Sequence, residues 1–209
     1  RRYVHPEVVD YVVRQPNATK LGGQTREISV VFADISGYTA MSEEMPPAQL
    51  VELLNEYLSM MTEAVFAEQG TVTMFQGDAV MAIYNAPPDQ EDHALRAVRT
   101  ALRMRNAFET YNQRTGQRNV SFSVGVNTGI ALVGNIGARE RLQNYTAIGD
   151  VVNMAKRLEE CADKNQILLG EGTMHYVAPA VQTRPLGETR VKGKSRPQRI
   201  WELQRMIAG

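Results

Sequence analysis

Apolar positions fall into short blocks whose spacing alternates between that of strands and that of helices. Ile28 to Ala33 is a continuous apolar, β-branched run with charge before it and Asp34-Ile35-Ser36-Gly37 after it. It predicts a buried strand ending in a turn. Pro46-Pro47 then opens a long helix, in which Leu50, Leu53, Leu54, Tyr57, Met61, Ala64 and Val65 recur at three- and four-residue steps until Gly70. Thr71 to Phe75 and Ala79 to Tyr84 flank Gln76-Gly77-Asp78 as the two strands of a hairpin. From Asp89 to Tyr111 the helical spacing returns, with Ala94, Ala97, Val98, Ala101, Leu102 and Phe108 on one face. Val120–Thr128 and Ile130–Ile136 read as two strands around Gly129, followed by a helix from about Asp150 to Ala162. Strands near Gln166–Leu169, Thr183–Leu186, Thr189–Val191 and Arg199–Leu203 complete the chain.

This order predicts an α+β fold with a ferredoxin-like βαββαβ core, an antiparallel-rich sheet covered by helices on one face. Residues 1–25, polar and interrupted by Pro6, Pro16 and Gly22-Gly23, read as a lead-in segment, and residues 26–209 as one domain. At 209 residues and 43% hydrophobic the chain supports one sizeable core. Its 23 basic and 23 acidic residues cancel. That argues against a nucleic-acid binder, which shows a basic face, and leaves room for a small anionic ligand held by local cations. Cys161 is the single cysteine, in an acidic context, so it forms no internal disulfide and reads as an ordinary intracellular thiol. No apolar run approaches the roughly 18–20 residues of a membrane span, and no signal peptide is evident. An opening on Arg1-Arg2-Tyr3 instead of methionine points to a domain taken from a longer protein.

Asp34 stands where the first strand ends and Asp78 in the hairpin tip. A sheet that sets strand one beside the hairpin brings the two carboxylates together. Hard divalent cations take such oxygen donors, and two of them stabilise attacking and leaving oxygens in phosphoryl chemistry. Turn aspartates are equally at home at both places. Gly37-Tyr38-Thr39 follows Asp34 at a strand–helix junction, a place where backbone N–H groups can meet a phosphate. Asn153 and Arg157, four apart, share a helix face, suited either to a phosphoryl group with developing charge or simply to solvent. Lys192, in Val191-Lys192-Gly193-Lys194, and Arg139, in Gly137-Ala138-Arg139, are further cations beside glycine, suited to a triphosphate or to a soluble turn.

Together these stretches resemble the catalytic domain of class III adenylyl and guanylyl cyclases. The matching pieces are Val31-Phe32-Ala33-Asp34-Ile35-Ser36-Gly37-Tyr38-Thr39, Gln76-Gly77-Asp78-Ala79-Val80-Met81-Ala82 and Val124-Gly125-Val126-Asn127-Thr128-Gly129, followed by Ala147 to Leu158 and Val191-Lys192-Gly193-Lys194. They occur in family order over residues 26–203. The resemblance implies the class III nucleotidyl cyclase fold. It also implies two Mg²⁺ or Mn²⁺ ions on Asp34, Asp78 and the Ile35 carbonyl. Asn153 would orient the ribose, Arg157 would stabilise charge at the α-phosphate, and Lys192 and Arg139 would contact phosphates. The ribose 3′-hydroxyl would attack the α-phosphate and expel pyrophosphate. Because one chain carries both halves of this apparatus, the resemblance implies a symmetric homodimer. Asp34 and Asp78 would come from one protomer, and Thr146, Asn153, Arg157 and Lys192 from the other.

Two positions select the base in this family. Met74 stands where the family carries lysine, and a methionine has no donor for a purine nitrogen. Thr146 at the second position resembles the adenylyl subgroup called class IIIb, which favours ATP as substrate. The alternatives are a cyclase of relaxed or different base preference, and a non-catalytic nucleotide-binding or dimerisation module. A palm-type diguanylate cyclase would need a Gly-Gly-Asp/Glu-Glu-Phe hairpin, which Gln76-Gly77-Asp78-Ala79-Val80 does not supply. Tyr3-Val4-His5-Pro6-Glu7-Val8-Val9 resembles the segment that precedes such domains behind sensor modules. The expected setting is a cytoplasmic catalytic domain behind an upstream sensor, with membrane anchoring of the parent left open.

Overall fold

The computed structural model describes residues 22–116, 120–138, 143–190 and 196–207, with Thr39 and Ala40 described by backbone alone. In chain order the elements are β1 (Gly22–Ser36), α1 (Tyr38–Glu44), α2 (Pro47–Ala67), β2 (Thr71–Gln76), β3 (Ala79–Tyr84), α3 (His93–Thr115), β4 (Ser121–Gly137), β5 (Gln143–Ile148), α4 (Asp150–Cys161), β6 (Gln166–Gly170), α5 (Glu171–Val177), β7 (Val181–Thr189) and β8 (Gln198–Met206). The strands form one sheet in the order β2-β3-β1-β4-β6-β8-β7, with β5 also paired to β4. Among the described residues only the β4–β6 pairing is parallel. This is the expected α+β class.

Alternation of side chains along β1 divides the core. Val31, Ala33 and Ile35 face a large cluster with α2 and α3, built around Tyr57, Met61, Val98, Ala101, Met104 and Phe108. Ile28, Val30 and Phe32 face the other way, onto Val151 and Ala155 of α4. Helices therefore cover both faces, not one. The apolar stripe of α4 needs a surface, and the even positions of β1 and the odd ones of β3 and β4 provide it.

Gly129 does not break a strand: β4 runs through it, opposite Ile28 of β1. β1 likewise begins at Gly22, so part of the expected lead-in pairs with β4. Gly125 is where α4 comes closest, since a Cβ there would stand 2.1 Å from the Ala155 carbonyl oxygen. A buried polar seam ties β1 to α3, β4 and α5: the Ser29 hydroxyl lies 2.8 Å from His93 Nδ1 and 2.7 Å from Thr128 Oγ1, which meets Thr173 Oγ1 at 3.1 Å. Among the described residues no helix is long and apolar enough to cross a membrane.

Candidate active site

β1 and β3 pair antiparallel with Asp34 opposite Ala79, so Asp78, the last residue of the hairpin tip, arrives beside Asp34. The tip closes on Gly77, whose φ of 62° suits glycine. Burial and the neighbouring Asp78 push the Asp34 carboxyl up from 3.8 to about 6, against the pull of Lys156 and the Ile35 backbone. Two carboxylates forced this close form an electrostatic deficit that a divalent cation would relieve. Their donors are all hard oxygen, and the adjacent Ile35 carbonyl is of the same kind. The set fits Mg²⁺ or Mn²⁺, with the rest of the shell left for phosphate and water.

Gly37 follows β1 in the left-handed conformation, φ 93°, and caps α1, its carbonyl accepting the Met41 N–H at 3.1 Å. That turn sets Tyr38, half-buried, at the first position of α1. The Thr39 side chain, Arg139 and Lys192 lie outside the described residues. Met74 sits on β2 opposite Met81, next to a register shift at Thr73, and is 38% exposed. Thr146 lies on β5 opposite Gly134 and is half-buried. β5 approaches β2, so the strands carrying the two base-selecting positions are neighbours.

Helix α4 buries Val151, Met154, Ala155, Leu158 and Glu159 against the sheet. Asn153 is therefore exposed on the outer side, and Arg157, on an outer flank, pairs with Glu160 at 2.6 Å. Within one chain these two look away from the sheet face that carries Asp34. The structure brings Asp34 and Asp78 together, whereas Arg157 takes Glu160 as its ion-pair partner and Asn153 is exposed.

Lys156 was not among the expected site residues. Its ammonium lies 3.7 Å from Asp34 Oδ2 and 2.6 Å from Glu159 Oε2. Glu159, buried, also accepts the Ser123 hydroxyl at 2.8 Å. In the sequence Lys156, Glu159 and Glu160 look like a solvated helix face. The i, i+3 spacing of Lys156 and Glu159 was the available clue to their pairing.

The family model described as the adenylate and guanylate cyclase catalytic domain matches residues 22–204. Adenylate cyclase 1 of Rhizobium meliloti (strain 1021) is 36% identical over 206 residues, covering 96% of this chain and 31% of that protein. The chain spans about a third of the length of the curated relatives it matches. Among solved structures, the adenylyl cyclase CyaB from P. aeruginosa superposes with a TM-score of 0.84 at 34% identity, over 88% of this chain and 97% of that one. The guanylyl cyclase Cya2 superposes with a TM-score of 0.80 at 32% identity, over 88% of this chain and 94% of that one. The motifs, the sheet topology and these matches agree, and the chain belongs to the class III adenylate and guanylate cyclase catalytic-domain family.

Proposed function

We propose that this cyclase domain is an adenylate cyclase, converting ATP into 3′,5′-cyclic AMP and pyrophosphate at sites shared between two copies of the chain. The observation that carries the shared site is the orientation of α4. Asn153 is exposed, and Arg157, on a flank of the helix, pairs with Glu160 and not with the Asp34–Asp78 pair of its own chain. A second copy offers its acid pair to that outward face, and two-fold symmetry then gives two equivalent sites.

Asp34, Asp78 and the Ile35 carbonyl would hold two Mg²⁺ or Mn²⁺ ions. When bound, these ions supply charge neutralisation at the attacking and leaving oxygens. Asn153 orients the ribose through its amide, fixing the 3′-hydroxyl in line with the α-phosphate. Arg157 exchanges its exposed partner Glu160 for the α-phosphate, where its planar donors match the charge that builds up. The 3′-oxygen–phosphorus bond forms as the bond to pyrophosphate breaks, and the hydroxyl proton leaves to solvent. By the family resemblance, Gly37, Tyr38 and Thr39, in the turn after Asp34, would serve the triphosphate, and Arg139 and Lys192 would contact phosphates.

ATP is favoured because Thr146 occupies the second base-selecting position and Adenylate cyclase 1 of Rhizobium meliloti is similar along nearly the whole chain. Met74 supports a second reading, a cyclase of relaxed base preference, since a thioether gives a purine edge no donor. We place the domain in the cytoplasm, behind an upstream sensor in a longer parent protein.

The test is incubation of the purified domain with Mn²⁺ and each of ATP, GTP, CTP and UTP, with products identified by mass spectrometry. Cyclic AMP as the dominant product is expected. Dominance of another cyclic nucleotide would refute the adenylate reading, and no product from a verified dimer would refute catalysis by this domain. Specific activity should also fall on dilution to monomer.

A further inference from the structure

The outer side of α4 serves the proposed shared site, but Lys156, on the opposite flank from Arg157, reaches back to its own sheet. Its contacts close a ring. Lys156 Nζ lies 3.7 Å from Asp34 Oδ2 and 2.6 Å from Glu159 Oε2. Glu159 receives the Ser123 hydroxyl at 2.8 Å, and Ser123 is the cross-strand register partner of Asp34. The ammonium also sits over the Phe32 ring, 5.8 Å from its centroid. An exposed lysine–glutamate pair three residues apart would be a weak, mobile contact. This one is different, because Glu159 is only 5% exposed and already held by Ser123. A buried, hydrogen-bonded carboxylate keeps its counter-charge in place. Lys156 is thereby fixed one contact away from Asp34.

We propose that Lys156 is a positioning residue: anchored by Glu159 and Ser123, it acts as a resident counter-ion to Asp34 and weakens the affinity of the Asp34–Asp78 pair for divalent cations. The inference rests on the reading of that pair as the metal site. The physical reason is that the ammonium carries the same sign as the incoming ion. It orders the Asp34 carboxylate, yet it repels any second cation that binds there. A metal ion does not displace Lys156, because Glu159 holds the ammonium more closely than Asp34 does. The residue thus acts on the threshold of metal loading and leaves the chemistry to the outward face of α4.

The test is direct Mn²⁺ titration of the purified chain without nucleotide, following free Mn²⁺ by electron paramagnetic resonance at pH 8.5. Lys156→Gln keeps a donor for Glu159 and removes the charge. It should bind Mn²⁺ about tenfold more tightly than the unaltered chain, the equivalent of about 1.4 kcal/mol. Lys156→Arg, which keeps the charge, should stay within about twofold. Asp34→Asn should lose at least about tenfold in affinity. If Lys156→Gln binds Mn²⁺ equally or less tightly while Asp34→Asn loses it, the inference is overturned and the metal reading stands. If Mn²⁺ binding survives Asp34→Asn, both are overturned. A lowered melting temperature in Lys156→Gln with unchanged Mn²⁺ affinity marks a merely structural lysine and also overturns the inference. If Lys156→Gln does not fold, the double variant Lys156→Gln/Glu159→Gln removes both charges of the pair. It should still bind about threefold more tightly, because the lysine, 3.7 Å from Asp34 Oδ2, is the member of the pair whose charge acts on that carboxylate. No change in the double variant overturns the inference.

Discussion

Gly125→Ala tests the seat of α4. A Cβ at this position would stand 2.1 Å from the Ala155 carbonyl oxygen, 2.4 Å from the Glu159 nitrogen and 2.9 Å from Leu158 Cβ. The two closest atoms are backbone of the helix, so no side chain can swing aside. Restoring ordinary contact requires α4 to lift by roughly 1 Å, which loosens Val151, Ala155 and Leu158 from the sheet. Overpacking of this kind costs about 2–3 kcal/mol. Gly129→Ala, four residues along the same strand and under the same helix, is the control. Its Cβ would lie 3.5 Å from Val151 Cβ, an ordinary contact. It should be neutral or stabilising by up to about 1 kcal/mol, through the stiffer unfolded chain. Urea unfolding reads both, with stabilities compared at equal slope. Turnover should separate them further, because α4 carries Asn153, Lys156 and Arg157. Gly125→Ala should lose at least about tenfold in activity where Gly129→Ala retains it. Stabilities within about 0.5 kcal/mol of each other would refute this account of the α4–β4 contact.

Asp34→Asn should stabilise the metal-free protein in a pH-dependent way. The folded carboxyl is raised to about 6 from 3.8, so ionising it opposes folding. The penalty is absent well below pH 4, grows between about pH 4 and 6, and levels off above that at about 1–2 kcal/mol, discounted for partial exposure, as read at pH 8. A difference from the unaltered chain that does not change between those pH values would show that burial and Asp78 do not act on this group. Asp34→Asn and Arg157→Ala should each lose at least about 100-fold in activity alone. Mixed and allowed to exchange, they should regain about a quarter of normal activity, because half the dimers are mixed and each mixed dimer has one intact site of two. No recovery would exclude sites shared across the dimer. Glu68, buried on its side-chain carboxylate, accepts Arg99 at 2.7 Å and Arg103 at 2.6 Å. Glu68→Gln should therefore cost about 1–3 kcal/mol in thermal or urea unfolding, and an unchanged midpoint would show that the two arginines do not rely on it.

Much of the fold was legible because several elements carry an unambiguous period. The three- and four-residue steps of α2 and α3 and the β-branched run of β1 bury the faces they suggest. β5 and α5 were not legible. Gln143–Ile148 is a short, half-polar strand that exists by pairing with β4, and Glu171–Val177 is a helix of two turns with little room for a period. Gly129 looked like a break because glycine has low strand preference, whereas β4 is held by long pairing with β1 on one edge. For the site, the sequence singled out Asp34 and Asp78 as a pair, and the β1–β3 register makes them neighbours. Lys156, Glu159 and Ser123 were not legible as a unit, because their contact exists only where α4 crosses β4.

By itself, the sequence determined the chemistry on offer: two acids, one near the end of a strand and one in a hairpin tip, an amide and a guanidinium four apart on a helix, and an apolar pattern that specifies helix, strand and hairpin. These follow from local periodicity and residue type, which tertiary packing does not alter. Only the tertiary structure decided that helices cover both sheet faces, that Arg157 pairs with Glu160 while Lys156 reaches Asp34, and that a buried glutamate holds that ammonium beside Asp34. Those facts depend on which strand lies under which helix, a long-range matter of register and packing that no window of neighbouring residues contains.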